Sequence, residues 1–294
     1  ACFNEGLIAV KINKKWGFAD TLGRVVIQPQ YDKVAYFSCG VAKVSLFKEG
    51  SSVQTLDAFI NHQNEMVVPF DKFELPFFGY SHKECLCRMI QNKEHGFFSP
   101  DGKVLIKAKY EEAQDFFDGL AAAKIRENGL WGYIDKTGNW FIRPRFTVAG
   151  NFYNGLAYAE TDKEKGFIDY SGSFVFTLGE LSAGKFMFNR FFEGRKIVKD
   201  QDAVYGFIDT TGKVIVDPVY VGIGYYNEGL APVSKDGLID QDAWFREVTG
   251  GWGFIDKEGK LVIPHKFEKV FHFCNGLAAA RKNNKWGFID KKGN

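Results

Sequence analysis

The chain has 294 residues, of which 45% are hydrophobic and 16% aromatic, and its formal net charge is +2. This length allows a large buried core, and the balanced charge argues against the strongly basic field of nucleic-acid-binding proteins. No apolar run approaches the roughly 20 residues of a membrane-spanning helix. No signal peptide is visible, and the start without Met in mid-pattern is compatible with a missing upstream segment.

Each copy of the sequence pattern starts with F-x-x-G-L-A and continues, after a spacer, with W-G-F-I-D. Glycine, which is frequent at 32 residues, and the aromatic residues predict strands joined by tight turns. In the copy Trp131-Gly132-Tyr133-Ile134, alternate residues of a strand point to opposite faces, and both faces carry apolar residues. This pattern predicts an interior strand that is covered on both sides.

The segment from Asp135 to Gly138 follows this strand. Asp in its first position and Gly in its fourth predict a type I turn closed by a left-handed glycine. We interpret the recurring aspartates as turn caps rather than as metal ligands or acid–base groups, because they are spaced by whole repeats. Runs such as RVVIQP and NWFIRP predict a third strand that stops at a proline. YDKVAYF and its counterparts predict a bent connection or a short irregular strand, and no segment predicts a helix.

Copies of this pattern account for almost the whole chain. Their spacing of about 34 to 47 residues lies in the range of repeat architectures. A worn copy has Ala58 in place of the glycine that follows the Trp position. We predict one array over residues 1–294, with units that start near residues 3, 37, 77, 116, 152, 191, 226 and 273. The glycines that follow the Trp position are Gly17, Gly96, Gly132, Gly166, Gly206, Gly253 and Gly287.

The phrase KWGFID, the DxxG turn after it and the FxxGLA string before it resemble the bacterial WG-repeat (KWG) family over almost the whole chain. The resemblance implies a tandem β-repeat protein without a catalytic signature. Four copies depart from the family at the Trp, where Asp57, His95, Lys165 and Tyr205 stand, so the Trp is not a required contact residue. We expect a structural role for the Trp and Gly of the complete phrases, which are Trp16, Gly17, Trp131, Gly132, Trp252, Gly253, Trp286 and Gly287.

The recurring glycine needs a physical reason, because glycine inside a strand costs roughly 0.5–1 kcal/mol relative to Ala. Its recurrence predicts that another group packs closely against it, either a neighbouring backbone or an aromatic ring. We favour the ring as the explanation. Glycine then opens a slot that an aromatic side chain from a neighbouring strand or repeat fills.

These elements predict an all-β tandem array of about seven and a half repeats, each with three or four short antiparallel strands. One such unit cannot bury its own faces, so neighbouring units must stack. An open superhelix tolerates uneven spacing and a final half repeat, whereas a β-propeller-like ring needs an integral number of blades. We therefore prefer the open superhelix and keep the ring as the alternative.

The cysteines do not recur at one position of each repeat, so the sequence does not predict a disulfide ladder. Cys85 and Cys87 could share one strand face and bind zinc with His82 and a fourth ligand, but no second Cys or His pair completes such a site. We interpret Cys85 and Cys87 instead as small residues at the positions that Ala121 and Ala123 fill in another copy. We expect no metal and no cofactor.

No phosphate-binding loop, dinucleotide fingerprint or nucleophile elbow is present, and we do not expect an enzyme. The remaining histidines are scattered through the chain and indicate no catalytic base. They are His62, His95, His265 and His272.

Insertions are the places where the copies differ most, and loops on a rigid scaffold commonly carry function. The largest insertion covers residues 234–251. Trp244, Phe245 and Arg246 in it belong to residue types that are common in interface hot spots, and they are our candidate partner-binding residues. The alternative is that Trp244 and Phe245 fold back over the neighbouring hairpin.

The hypothesis that we favour is a non-enzymatic scaffold that binds a protein partner or assembles with itself. The alternative is a glycan- or envelope-binding module that uses exposed aromatic residues, such as Trp244 with Tyr225 or Tyr226 in a groove. We expect no nucleic-acid partner and no transmembrane segment. The sequence does not distinguish a cytoplasmic from an envelope location.

Overall fold

The computed structural model describes residues 3–70, 72, 84–182, 191–236, 238–240 and 247–294. All regular structure in these residues is β-strand, so the described chain holds no helix that could span a membrane. The strands lie in two compact units, residues 1–147 and 148–294.

The first unit holds strands β1 Leu7–Ile12, β2 Lys15–Asp20, β3 Val25–Tyr31, β4 Lys33–Val34, β5 Val41–Phe47, β6 Thr55–Asn61, β7 Met66–Val68, β8 Cys87–Gln91, β9 Glu94–Phe98, β10 Val104–Tyr110, β11 Glu112–Ala113, β12 Ala121–Lys124, β13 Trp131–Ile134 and β14 Trp140–Phe146. The second unit holds strands β15 Val148–Ala149, β16 Ala157–Glu160, β17 Lys165–Ile168, β18 Phe174–Thr177, β19 Arg195–Lys199, β20 Tyr205–Asp209, β21 Val214–Tyr220, β22 Gly222–Ile223, β23 Ala231–Ser234, β24 Leu238–Asp240, β25 Glu247–Thr249, β26 Trp252–Ile255, β27 Leu261–Phe267, β28 Lys269–Val270, β29 Ala278–Lys282 and β30 Lys285–Ile289.

The described strands form eight antiparallel sheets of three or four strands, one for each copy of the sequence pattern. A typical sheet has the order β11-β12-β13-β14, in which β11 is the segment that the sequence predicted as a bent connection. The insertion of the seventh copy forms a separate hairpin, β24-β25. These sheets confirm the all-β class and the array of antiparallel repeats. The preference for an open superhelix over a ring stays a prediction.

The strand with the W-G phrase lies in the interior of each complete sheet, as predicted. In the fourth copy, Trp131 is opposite Phe146 and Tyr133 is opposite Ile142, with an irregular register between these two pairs. The third strand therefore bulges across the position of Gly132 between them. The bulge brings the backbone of β14 unusually close to this glycine.

Aromatic side chains join consecutive repeats. The Phe of the W-G phrase in one copy meets the buried aromatic residue that opens the next copy, and the two rings approach edge to face. Phe18 and Phe37 have ring centroids 4.8 Å apart, and Phe254 and Phe273 are 4.9 Å apart. All four side chains are buried. The hydrophobic core therefore continues from one repeat to the next within each unit.

The DxxG turn has the predicted structure. Asp135 Oδ1 accepts hydrogen bonds from the N–H groups of Thr137 and Asn139, and the Gly138 N–H donates to the Asp135 carbonyl oxygen over 3.0 Å. Gly138 has a φ of 80°, the left-handed conformation that glycine adopts without strain. The hydrogen bond from the Thr137 hydroxyl, joined by backbone N–H groups, lowers the pKa of Asp135 despite partial burial. The aspartate caps the turn, as the sequence predicted.

A second tight turn, which we call the entry turn, precedes the first long strand of each copy. Its two residues have positive φ, for example 50° at Asp118 and 81° at Gly119, which is typical of a hairpin turn that matches the strand twist. The entry turns with this geometry are residues 5–6, 39–40, 118–119, 154–155, 193–194, 228–229 and 275–276. In the third copy, Glu84 and Cys85 stand at the same place in the sequence, and Cys85 has a φ of 53°.

Candidate functional site

The insertion of the seventh copy leaves and rejoins the sheet at paired residues. Ser234 on β23 is opposite Trp252 on β26, and the Ser234 hydroxyl donates a 2.9 Å hydrogen bond to the Gly250 carbonyl. The Gly250 N–H in turn donates to the Glu268 carbonyl over 2.7 Å. The base of the insertion is thus fixed by the sheet itself. The predicted partner-binding residues, Trp244, Phe245 and Arg246, lie outside the described residues and stay a prediction.

The glycine of the W-G phrase faces a backbone and not an aromatic ring. A Cβ atom at Gly132 would lie 2.5 Å from the Ile142 carbonyl oxygen and 2.7 Å from the Pro144 nitrogen. The same backbone positions face the other glycines of the phrase in the described sheets that have a complete third strand. The prediction that an aromatic side chain fills the slot is therefore wrong, because the bulge of the third strand fills it first.

The tryptophans of the phrase are edge residues of the core. Trp16, Trp131 and Trp252 are half-buried, whereas Trp286 on β30 is 52% exposed. Sheet β28-β29-β30 has no third strand after β30 among the described residues. At Gly287 an added Cβ meets no atom within 4 Å. The third strand therefore determines both the burial of the Trp and the need for glycine.

The tyrosines that would favour a glycan site have no open ring faces here. Tyr226 is buried and its hydroxyl donates a 2.7 Å hydrogen bond to the Asp256 carbonyl. Tyr225 is stacked between Phe192, at 4.3 Å between ring centroids, and His272, at 3.7 Å. A sugar stacks on a free aromatic face, and neither face of Tyr225 is free.

An open depression of about 350 Å³ lies at the hairpin between β16 and β17. No aromatic side chain lines it, so it offers no stacking platform either. The lining residues are Glu160, Thr161, Asp162, Lys163, Glu164, Lys165, Thr177 and Gly179.

The cysteines differ from the sequence interpretation. Cys85 forms a disulfide with Cys39, with 5.5 Å between the Cα atoms, so its sulfur is not available to a metal. Cys87 is a buried free thiol opposite Phe98, the position that Ala121 fills opposite Ile134. The assignment of Cys85 and Cys87 to the positions of Ala121 and Ala123 was therefore wrong by two residues.

Burial, with a contribution from the Asp115 charge, raises the pKa of the Cys87 thiol to about 12. The thiol is therefore protonated at neutral pH and unsuited to nucleophilic or metal chemistry. His82, the third member of the candidate zinc site, lies outside the described residues. The described residues contain no group of three or more His, Cys, Asp or Glu side chains that could hold a metal ion.

Histidines are used in packing and backbone contacts. His62 stacks on Phe37 with 4.3 Å between ring centroids, and His265 Nδ1 lies 2.8 Å from the Gly251 carbonyl oxygen at the base of the insertion. Burial lowers the pKa of His272. These contacts give each of the three rings a structural environment.

Entry turns are linked from one repeat to the next by glutamate side chains. The Glu5 carboxylate accepts a 3.0 Å hydrogen bond from the Gly40 N–H, and Glu84 accepts one of 3.2 Å from the Gly119 N–H. The second unit has the same arrangement. Glu193 accepts from the Gly229 N–H over 2.9 Å, and Glu228 accepts from the Gly276 N–H over 3.0 Å. We call these four contacts the glutamate clamps.

Each clamp glutamate also contacts a basic side chain, Lys or His, at the second position of the DxxG-type turn in the next repeat. His62 Nε2 lies 3.3 Å from Glu5, Lys257 Nζ lies 3.1 Å from Glu193 and Lys291 Nζ lies 3.2 Å from Glu228. Lys136 contacts Glu84 in the same way. The hydrogen bond from the Gly276 N–H, with help from Lys291, lowers the pKa of Glu228. One carboxylate thus holds two groups of the following repeat.

A lysine occupies a core position in the sixth copy. Lys196 is opposite Ile208, the position that Ala121 fills opposite Ile134, and its side chain is fully buried. Its Nζ has no hydrogen-bond partner among the described residues and lies 6.0 Å from the centroid of the Phe167 ring. Burial lowers the pKa of Lys196 to about 7. The sequence signal for this residue was its departure from the alanine of other copies.

Exposed apolar side chains recur on the third strands, which lie at the sheet edges. The second residue of the third strand is between 40% and 54% exposed in five described copies, and we call these residues the outer row. Isolated apolar residues at a surface are ordinary, but a recurring position along an array is not. The outer row consists of Val26, Leu105, Phe141, Val175 and Val262.

Cationic residues flank the outer row in the third and fourth copies. Strands β10 and β14 continue after Leu105 and Phe141 with exposed Lys and Arg at every second position. Neither Lys107 nor Arg143 forms an ion pair with an acidic side chain of the described chain. The third strands of two consecutive repeats therefore each present apolar and positively charged side chains.

The fold and these recurring contacts define a repeat β scaffold. A family profile described as "WG containing repeat" matches residues 1–16, 16–46, 96–128, 131–164, 205–238 and 252–286, which together exceed half of the chain. The chain belongs to this WG-repeat family, as the sequence phrase predicted. A search of curated protein sequences finds no match.

Solved structures with a similar fold share little sequence with this chain. One is a crystal structure of a eukaryotic initiation factor, with a TM-score of 0.61, 9% identity and coverage of 99% of this chain and 85% of that chain. BamB from Moraxella catarrhalis has a TM-score of 0.46, 9% identity and coverage of 97% and 96%. Hsv2 from Kluyveromyces lactis has a TM-score of 0.46, 9% identity and coverage of 87% and 94%. At this identity the first likeness shows the fold alone.

Proposed function

We propose that the chain is a non-enzymatic scaffold that binds a protein partner through the outer-row residues of its first unit, Val26, Leu105 and Phe141. The observation that carries the proposal is the recurrence of one exposed apolar position on the edge strand of five repeats. Burying such side chains favours association, and several weak contacts within one unit add up to a stable complex. His62, His265, His272 and the buried Cys87 thiol have structural environments, which supports a binding role over a catalytic one.

The third and fourth copies indicate the chemistry of the partner. Leu105 and Phe141 supply apolar contact area, and Lys107 and Arg143 supply positive charge without an acidic partner in the described chain. A segment that combines apolar and acidic residues would satisfy both features. We therefore propose that the partner surface is acidic around an apolar centre.

Site-specific photo-crosslinking tests the proposal. A photoreactive amino acid is placed at position 105 or 141 and, as a matched control, at Leu22, which is 74% exposed on a hairpin outside the outer row. We expect a discrete protein adduct in the source cells from positions 105 and 141 and none from position 22. An equal adduct yield from all three positions, or no protein adduct, would contradict the proposal.

Charge reversal then tests the chemistry of the partner. Lys107→Glu with Arg143→Glu should lower the adduct yield at least tenfold, which corresponds to about 1.4 kcal/mol. The control reverses Lys163 and Lys213, which are exposed on turns of the second unit. An unchanged yield after reversal at 107 and 143 would show that charge does not select the partner.

A further inference from the structure

The disulfide between Cys39 and Cys85 occupies the place of a glutamate clamp. In each clamp, the first residue of one entry turn reaches the second residue of the next entry turn. Cys39 is the first residue of the second entry turn, and Cys85 is the second residue of the third. The covalent bond therefore joins the same two positions that hydrogen bonds join at the four boundaries with a glutamate clamp.

The residues around this boundary have changed together. A basic side chain, Lys or His, stands at the second position of the following DxxG-type turn wherever the preceding entry turn has a clamp glutamate. After Cys39 that position is Pro100, which carries no charge. Asn154, which begins the fifth entry turn, is likewise followed by the uncharged Thr210. The basic partner residue is thus absent at the two positions, Cys39 and Asn154, where a neutral side chain replaces the glutamate.

Backbone conformation gives independent support. Cys85 has a φ of 53°, although the second position of the other entry turns is glycine with φ near 80°. A side chain in the left-handed region is strained, and glycine avoids that strain. Cys85 thus places a side chain where the other entry turns have none, and this side chain is bonded to Cys39.

From this geometry we propose that Cys39 and Cys85 form a redox-dependent clamp between the second and third repeats, made where the chain meets an oxidising compartment. Formation of the bond removes two protons and two electrons from the thiols, which oxidised glutathione accepts by thiol–disulfide exchange to give two molecules of reduced glutathione. Dithiothreitol reverses the step and ends as its cyclic disulfide. After reduction, positions 39 and 85 of the described chain hold neither a clamp carboxylate nor a disulfide.

The nearby Cys87 thiol does not compete for the disulfide between Cys39 and Cys85. Cys85 is exposed and accessible to oxidant and reductant, whereas Cys87, two residues away, is buried and protonated at neutral pH. Exchange proceeds through the thiolate, so Cys87 attacks slowly. The pairing of Cys39 with Cys85 is therefore specific.

The first test identifies the bond. Source cells are treated with N-ethylmaleimide before lysis, and the digested protein is analysed by mass spectrometry without reduction. We expect a linked peptide pair that contains Cys39 and Cys85. The exposed Cys274 should be alkylated as a free thiol, and the buried Cys87 should be alkylated only after unfolding. Alkylation of Cys39 and Cys85 in the cells would overturn the proposal.

The second test measures the clamp. Dithiothreitol should lower the melting temperature of the oxidised wild type by at least about 4 °C and increase amide exchange at the entry turns of the second and third repeats. Dithiothreitol should not change the melting temperature of the variant Cys39→Ser/Cys85→Ser, which should already equal that of the reduced wild type. A wild type with the linked peptide but no response to dithiothreitol would overturn the clamp.

A designed variant separates the clamp from general damage. Cys39→Glu with Cys85→Gly and Pro100→Lys rebuilds a glutamate clamp at this boundary. We expect it to melt above the serine variant and at the same temperature with and without dithiothreitol. A melting temperature no higher than that of the serine variant would contradict the equivalence of the two kinds of clamp.

Discussion

The same phrase, W-G followed by an aromatic residue, occurs in two different environments at β13 and β30. On β13, Tyr133 is buried and Gly132 faces the backbone of the third strand. On β30, Phe288 is 74% exposed and Gly287 faces open space. The phrase alone therefore determines neither burial nor close packing. The burial of the aromatic residue and the close packing of the glycine both depend on the third strand. The eighth copy therefore serves as a control for the fourth.

Removal of the aromatic ring should distinguish the two environments most strongly. Tyr133→Ala should lower the free energy of unfolding by about 3 kcal/mol or more, because it leaves a cavity in a close-packed core. Phe288→Ala should change it by less than about 0.5 kcal/mol, as is usual at exposed positions. Urea unfolding followed by circular dichroism gives both values. A loss at Phe288 as large as that at Tyr133 would mean that β30 is covered by another part of the molecule.

Ala121 and Lys196 occupy the same position in two different copies, and they can be compared in the same way. The unpartnered Lys196 amine costs stability as long as it must be buried, so Lys196→Met should raise the free energy of unfolding at pH 7 by about 2 kcal/mol. The folded-state pKa of about 7 lies below the usual 10.5. Between these values the unfolded state binds the proton that the folded state lacks, so wild-type stability should rise with pH.

The difference between wild type and Lys196→Met should therefore shrink from pH 7 towards pH 10. Lys213→Met, at an exposed hairpin position, is the matched control and should not change stability with pH in this way. Melting temperatures across this pH range give the answer. A constant difference between Lys196→Met and wild type would show that the buried amine does not titrate.

Copies can also be compared at the junction between the first two long strands, where the seventh copy has its insertion. Shortening residues 235–249 to a simple turn should leave the fold intact, with a change in the free energy of unfolding within about 1 kcal/mol, because Ser234 already pairs with Trp252. Partner binding should weaken at least about tenfold if Trp244 and Arg246 are anchors. Circular dichroism and a titration with the crosslinked partner measure the two effects. Loss of folding would instead place Trp244 and Phe245 in the core.

Much of the fold follows from sequence periodicity. The number of copies, the antiparallel strands and the capping role of Asp135 were predictable because turn residues recur at fixed offsets. The bulge opposite Gly132 was not, because a strand pattern does not show where a partner strand becomes irregular. The burial of Lys196 was visible only as a break in an alanine position.

The residues that link consecutive repeats, in the glutamate clamps and the disulfide, are harder to predict from the sequence. A clamp glutamate and its cation, such as Glu84 and Lys136, lie far apart in the chain and correspond only when neighbouring copies are aligned in the correct register. The alignment that placed Cys85 at an alanine position was shifted by two residues, and this shift concealed its equivalence to the entry-turn glycine. The disulfide with Cys39 follows once the register is corrected.

The most direct test of the account is the introduction of one side chain at the two glycines. Gly132→Val places a side chain where the Ile142 carbonyl oxygen and the Pro144 nitrogen already lie, and we expect it to lower the free energy of unfolding by about 3 kcal/mol. Gly287→Val enters open space and should change it by less than about 0.5 kcal/mol. Equal losses from the two variants would contradict the claim that the third-strand backbone is what requires the glycine.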